Sequence, residues 1–287
     1  MSARNLLNLL LALVVVGLVL IVVFEPGKDT PVEKVTLTPL KAADIQRIEI
    51  QQNSGAVVLE KHDGQWRLQE LPDVAVSEGK IDTLLSLAGA TSHARYAAAS
   101  MDLEQTQLSR PELQITLADT RLIFGGTEPL NGRRYVQVGE YVHLIDDRYS
   151  YLLRGDAASF VDSAMLPAGA VLSEIRLPDF SLREQDGHWV LQGADVSLSA
   201  DDLQRFADGW RHARALRVTK AQDVIASGET IELQLRQRPE PLRFTLSQSD
   251  DEMILTREDI GLSFHFTLST AEGLLKLPTP PATEQDK

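Results

Sequence analysis

The sequence predicts an α+β protein in which an N-terminal transmembrane helix is followed by two tandem, similar, mainly antiparallel β domains, each with one principal helix. Three observations lead there. Residues 6–24 form an apolar run without a charged side chain. The remainder contains two stretches that read alike about 120 residues apart. Each stretch alternates apolar and polar residues with period two on either side of a single helical stripe, the pattern of half-buried strands around one helix.

At about 1.5 Å of rise per residue the apolar run covers roughly 28 Å, close to the ~30 Å hydrocarbon core of a bilayer. A cleavable signal has a shorter apolar region of about 7–15 residues and a small-x-small cleavage site. Here the run ends in Phe24-Glu25-Pro26-Gly27, and the absence of cysteine excludes a lipoprotein anchor. Arg4 precedes the run while Glu25, Lys28 and Asp29 nearly cancel after it, so the positive-inside rule keeps the N-terminus cytoplasmic. The expected topology is a single-pass anchor in a bacterial inner membrane, residues 1–24, with periplasmic C-terminal domains. Pro26, Pro31 and Pro39 mark residues 25–42 as a tether.

The first domain is expected over residues 43–165. Ile48 and Ile50, Val57 and Leu59, then Trp66 and Leu68 alternate as three half-buried strands, with Asp63-Gly64 as a tight turn before the tryptophan strand. Ile81, Leu84, Leu85 and Ala88 fall on one helical face. Further strands are read around 113–117, 122–124, 134–138 and 142–145. Residues 149–166 read as a helix, with Phe160, Val161 and Met165 apolar.

The second domain, residues 166–276, repeats this plan. Asp63-Gly64-Gln65-Trp66-Arg67-Leu68 recurs 123 residues later as Asp186-Gly187-His188-Trp189-Val190-Leu191. Ser92-His93-Ala94-Arg95 is echoed by Arg211-His212-Ala213-Arg214, and Val142-His143-Leu144 by Phe264-His265-Phe266. Collinear matches at this period indicate two domains, because solenoid units are only about 20–50 residues long. Ser199 is a natural N-cap ahead of Asp201 and Asp202, with Leu203, Phe206 and Trp210 on one face. Strands follow near 231–235, 242–246, 253–255 and 262–266. Ser269-Thr270-Ala271-Glu272 has the capping-box pattern of a short final helix. Prolines and polar residues make 277–287 an expected disordered tail.

Of 28 Lys and Arg residues only Arg4 precedes Glu25, and 41 acidic residues leave a net charge of −13. Such a surface repels polyanions, so no nucleic acid is expected as a partner. Trp66 and Trp189 read as core anchors. His143 and His265 each stand alone on a strand, without a His-Glu-x-x-His motif or a carboxylate–histidine cluster. His93-Ala94-Arg95 and His212-Ala213-Arg214 are placed at helix ends, where cations offset the negative pole of the macrodipole. Gly125-Gly126 reads as part of a hairpin loop rather than a phosphate cradle. Asp146-Asp147 and Asp250-Asp251 lack the alternating spacing of a calcium loop. No Gly-x-Ser-x-Gly elbow is present. Catalytic, cofactor-binding and metal-ligating residues are therefore assigned to none, no cofactor is expected, and the chain reads as a non-enzyme.

The apolar span, Ile48-Glu49-Ile50, Gln65-Trp66-Arg67-Leu68, the Leu84-Leu85 helix, Pro111 before a strand, Phe124-Gly125-Gly126, and Arg134-Tyr135-Val136 before Val142-His143-Leu144-Ile145 together carry a family likeness. The chain resembles the bacterial domain-of-unknown-function family 4340, well over residues 45–165 and more loosely over 170–275. The resemblance implies an uncharacterised, membrane-anchored accessory protein associated with ABC-type transporter components of the gliding-motility kind. It supplies no catalytic residues. The second copy reads Phe244-Thr245-Leu246 in place of the glycine pair, so any function invested there belongs to the first copy alone.

The expected function is thus a non-enzymatic accessory protein whose duplicated domains dock a protein partner, an ABC-type export or cell-envelope complex. A periplasmic glycan, lipid or peptide binding module is the alternative. An envelope hydrolase with a dispersed site is the weaker one. A deep apolar pocket with convergent polar groups favours a ligand, and a flat exposed apolar patch favours a protein.

Overall fold

In the computed structural model, which describes residue 15 and residues 35–53, 55–149, 153–221 and 228–278, the alternating stretches form two eight-stranded antiparallel sheets. The expected anchor lies outside the described residues apart from Val15, as does the tail beyond residue 278. Among the described residues no helix is long and apolar enough to cross a membrane. Contacts divide the chain into Met1–Val35 and Thr36–Lys287, so both sheets belong to one unit.

The first sheet contains β1 (Arg47–Gln52), β2 (Gly55–His62), β3 (Gln65–Leu68), β4 (Ala94–Ala97), β5 (Leu113–Leu117), β6 (Thr120–Thr127), β7 (Arg134–Val138) and β8 (Tyr141–Ile145), with helix α1 (Glu78–Ala88) between β3 and β4. Its order is β3-β2-β1-β5-β6-β7-β8-β4. The second contains β9 (Leu172–Arg176), β10 (Ser181–Gln185), β11 (His188–Gln192), β12 (Arg217–Lys220), β13 (Glu229–Leu235), β14 (Leu242–Gln248), β15 (Glu252–Arg257) and β16 (Leu262–Thr267). Helix α2 (Ala200–Arg211) falls between β11 and β12, and α3 (Leu268–Leu275) follows β16. The order β11-β10-β9-β13-β14-β15-β16-β12 repeats the first sheet strand for strand. Trp66 and Trp189 stand on the third strand of their copies, as the repeat requires.

Local chemistry explains the shared plan. Asp63 (φ 50°) with Gly64 (φ 82°) and Asp186 (φ 51°) with Gly187 (φ 85°) both place two successive residues at positive φ, the backbone of a type I′ hairpin turn. Ile48, Ile50, Leu59, Ile115, Leu117 and Leu122 line one face of the first sheet and are fully buried. Ile175, Leu182, Ile231, Leu233 and Leu255 do the same in the second. Burial of each such side chain contributes about 1.5–3 kcal/mol. Helix α1 turns Ile81, Leu84, Leu87 and Ala88 inward. Helix α2 opens on a capping box, Ser199 accepting from the Asp202 amide while the Asp202 carboxylate accepts from the Ser199 amide. It buries Leu203, Phe206, Ala207 and Trp210. The Trp210 indole donates to the Leu274 carbonyl at 2.9 Å, tying α2 to α3.

Several sequence expectations need correction. The described residues of 149–166 do not form the expected helix: only Ala157–Phe160 form a short 3₁₀ turn. Residues 161–165 instead stitch the two halves together through isolated bridges and backbone hydrogen bonds. Val161 bridges to Val76, Ala164 bridges to Arg214, and Ser163 and Met165 exchange backbone hydrogen bonds with Ala215 and Ala213. The final helix is capped two residues earlier than expected, by Thr267, whose hydroxyl accepts from the Thr270 amide. Each copy also has one more strand than the pattern showed, the edge strands β4 and β12.

The glycine pair lies inside β6, not in a hairpin loop, and makes a bulge: Phe124 pairs with Val136 but Thr127 with Arg134. One extra residue exchanges the faces of everything beyond it. Phe124 therefore shares a face with Val136 and His143, whereas in the second sheet Leu246 shares a face with Leu255 and Phe264, leaving His265 on the opposite one. His143 and His265 occupy equivalent strands but opposite faces. Val142 and Leu144, with 0% and 5% exposure, are consequently buried on the far side of the first sheet.

Candidate functional site

The residues singled out in the sequence fall at separate places. Trp189 is buried at 6% exposure, but Trp66 is only half-buried at the sheet edge, so the core reading holds fully for the second copy alone. His93 and Arg95 lie beyond the end of α1, which closes at Ala88 without a basic residue in its last turn. Arg95 instead stacks its guanidinium 3.4 Å from the centre of the Tyr141 ring. His212 does cap α2, its Nδ1 2.9 Å from the Asp208 carbonyl oxygen. The Asp146-Asp147 pair is engaged by side chains: Asp146 lies 3.0 Å from the His93 imidazole and Asp147 pairs with Arg134 at 2.5 Å. Among the described residues no group of three or more His, Asp or Glu side chains is placed to hold a metal ion.

Folding does assemble one carboxylate–histidine cluster that is invisible along the chain. The His265 Nε2 lies 2.9 Å from the Thr219 hydroxyl and its Nδ1 lies 3.1 Å from Glu252, which also binds Arg217 at 2.8 Å. Burial disfavours the Glu252 charge, but hydrogen bonds from His265 and Arg217 outweigh it and hold the carboxyl below the usual range. Hydroxyl, imidazole and carboxylate stand in the order of a general-base relay. Here the same bonds clamp the edge strand β12 onto β15 and β16, and the clefts of about 280, 480 and 390 Å³ are lined by other residues. In the first copy His143 meets Ser92 at 2.9 Å without a carboxylate. Burial, reinforced by the charge of Arg95, pushes its pKa down.

A cleft of about 480 Å³ opens where the two sheets meet. Val74 and Val161 from the first half face Met165, Ile260 and Phe264. Of its polar lining residues Asp73, Asp162, Arg238, Arg257 and Asp259, three are held in ion pairs, Asp162 by a residue outside the lining. Arg257 holds Asp259 through two hydrogen bonds, of 3.1 and 2.5 Å, and Arg214 holds Asp162. The Arg257 pair keeps the Asp259 carboxyl below the usual carboxylate range. The volume suits a small ligand, but the satisfied charges suit a seam between halves. Exposed large apolar side chains are scattered instead over the rims, among them Tyr96, Tyr141, Leu130 and Leu216.

In a comparison with known families, the model of a family described as a domain of unknown function, DUF4340, fits residues 66–238. Those residues run from β3 of the first sheet into the loop after β13 of the second. No curated protein and no solved structure matches the chain.

Proposed function

The chain belongs to the DUF4340 family, and from that premise we propose that it is a non-enzymatic, membrane-anchored accessory protein whose duplicated sheets dock a protein partner of an ABC-type export or cell-envelope complex. The observation that carries this reading is the state of the polar groups in the cleft between the sheets. Within the lining Arg257 binds Asp259, and Asp162 is bound from outside it by Arg214, so most of the charge at the cleft is already paired within the protein. The anchor is proposed from the apolar run of residues 6–24. It raises the concentration of the sheets at a membrane partner without adding a contact.

Affinity purification of the full chain from membranes, followed by mass spectrometry, tests the reading. Transporter or envelope subunits should be recovered at defined stoichiometry. Recovery of the chain alone, after mild cross-linking as well as without it, argues against a docking role. A second reading, a glycan, lipid or peptide module, is favoured by the volume of the inter-sheet cleft.

A further inference from the structure

The glycine bulge of β6 and the residues around it occur in one half of the duplication only, and we propose that they build a binding site for an oxyanion, a carboxylate or phosphate group, carried on an apolar stem. The second sheet reaches the same strand order with Phe244-Thr245-Leu246 in β14 and Glu252 at the head of β15. The fold therefore does not require Gly125-Gly126 or Arg134. What they create is a cleft of about 280 Å³ at the end of the first sheet, where β5 begins and β6 leaves.

Three guanidinium groups line that cleft, in a chain whose net charge is −13. Arg134 is fixed, donating to the Gly125 carbonyl at 2.8 Å and to Asp147 at 2.5 Å, with its side chain 16% exposed. Arg154 is held only by an exposed pair with Glu112 at 3.5 Å, which an incoming anion can displace. Arg110 is exposed and makes no ion pair among the described residues. It is carried on a loop that is pinned to the bulge: the Gly126 amide donates to the Thr106 carbonyl at 2.8 Å. A Cβ at Gly125 would collide with that carbonyl and with Leu108, so only glycine admits the loop so close. Gln107, held at φ 58°, shows the conformational cost of this approach. The buried side chains of Leu113 and Phe124 form an apolar floor for the stem. Glu104 and Glu112 at the rim restrict the site to one compact anionic group and repel polyanions. Planar guanidinium forks recognise both carboxylate and phosphate oxygens, so the two sources share one chemistry.

Calorimetric titration of the purified full chain with hexanoate and with hexyl phosphate tests the site, with hexanol as the uncharged control. Saturable one-site binding by at least one anion is expected, and the arm that binds identifies the head group. Arg110→Gln, an exposed change that leaves the melting curve intact, should weaken binding by about ten-fold, the loss of one charge-assisted contact. Arg243→Gln on the second sheet should leave it unchanged. Absence of binding by both anions, binding that survives Arg110→Gln, or equal binding of hexanol overturns the proposal. These outcomes are independent of whether a protein partner co-purifies.

Discussion

Replacing Trp210 tests how the second half of the protein is held together. Its ring is fully buried and its indole nitrogen donates to the Leu274 carbonyl at 2.9 Å, so one side chain both fills the space between α2 and the sheet and fastens α3. Removing a large aromatic from a core costs about 3–5 kcal/mol. Against a total stability of roughly 5–15 kcal/mol this is enough to bring the fold to its margin. Trp210→Phe keeps most of the apolar volume but leaves the Leu274 carbonyl without its donor, a loss of about 1–3 kcal/mol. Trp66→Ala, at the half-buried counterpart of Trp189, should cost less than either Trp210→Ala or Trp189→Ala. Urea unfolding of residues 36–287, followed by circular dichroism, gives the midpoints. An unchanged midpoint for Trp210→Ala, or a Trp66→Ala loss as large as that of Trp210→Ala, would refute the packing argument.

Three further outcomes are expected from the same denaturation assay. Gly125→Ala should destabilise by about 1–3 kcal/mol through overpacking against Thr106 and Leu108, whereas Gly79→Ala in α1 has open space and should be neutral or stabilising by up to about 1 kcal/mol. Ser199→Ala removes the capping box of α2 and should cost about 1 kcal/mol. His143 has its folded pKa lowered below the unfolded value of about 6.5, so the unfolded chain takes up the proton first and stability falls as pH drops through and below that value. His143→Gln should flatten this loss between pH 7 and 5.5, by at most about 1.4 kcal/mol per pH unit. An equal slope in the variant assigns the loss to other groups.

The parts of the fold legible in the sequence are those governed by neighbours along the chain. Period-two apolar positions such as Ile48 and Ile50, the two Asp-Gly turns and the Ser199 cap act within a few residues and appear where expected. The edge strands escaped notice because Ala94–Ala97 and Arg217–Lys220 are short, largely exposed and hardly alternate; pairing with β8 and β16 alone defines them. Residues 149–166 mimic a helical stripe because the apolar side chains that bridge two halves happen to recur at helical spacing. The exchanged face of His143 follows from one bulge residue, which leaves no trace in the apolar pattern. Thr219, Glu252 and His265 carry no local signature because their contacts join positions 46 and 13 residues apart. The same holds for the arginine cleft, where Arg110, Arg134 and Arg154 come from three separate segments.

The central claim is that the duplicated sheets act by docking at a membrane rather than by turning over a substrate. Its most direct test replaces residues 1–24 with a cleavable signal and measures, by quantitative mass spectrometry after mild cross-linking, the partner recovered per copy of the chain. The docking account predicts that the anchored form recovers a reproducible protein partner, and that the released form, equally abundant and equally folded, loses most of it. Undiminished recovery by the released form, or catalytic turnover by it that vanishes on Thr219→Val or His265→Gln, would contradict the account.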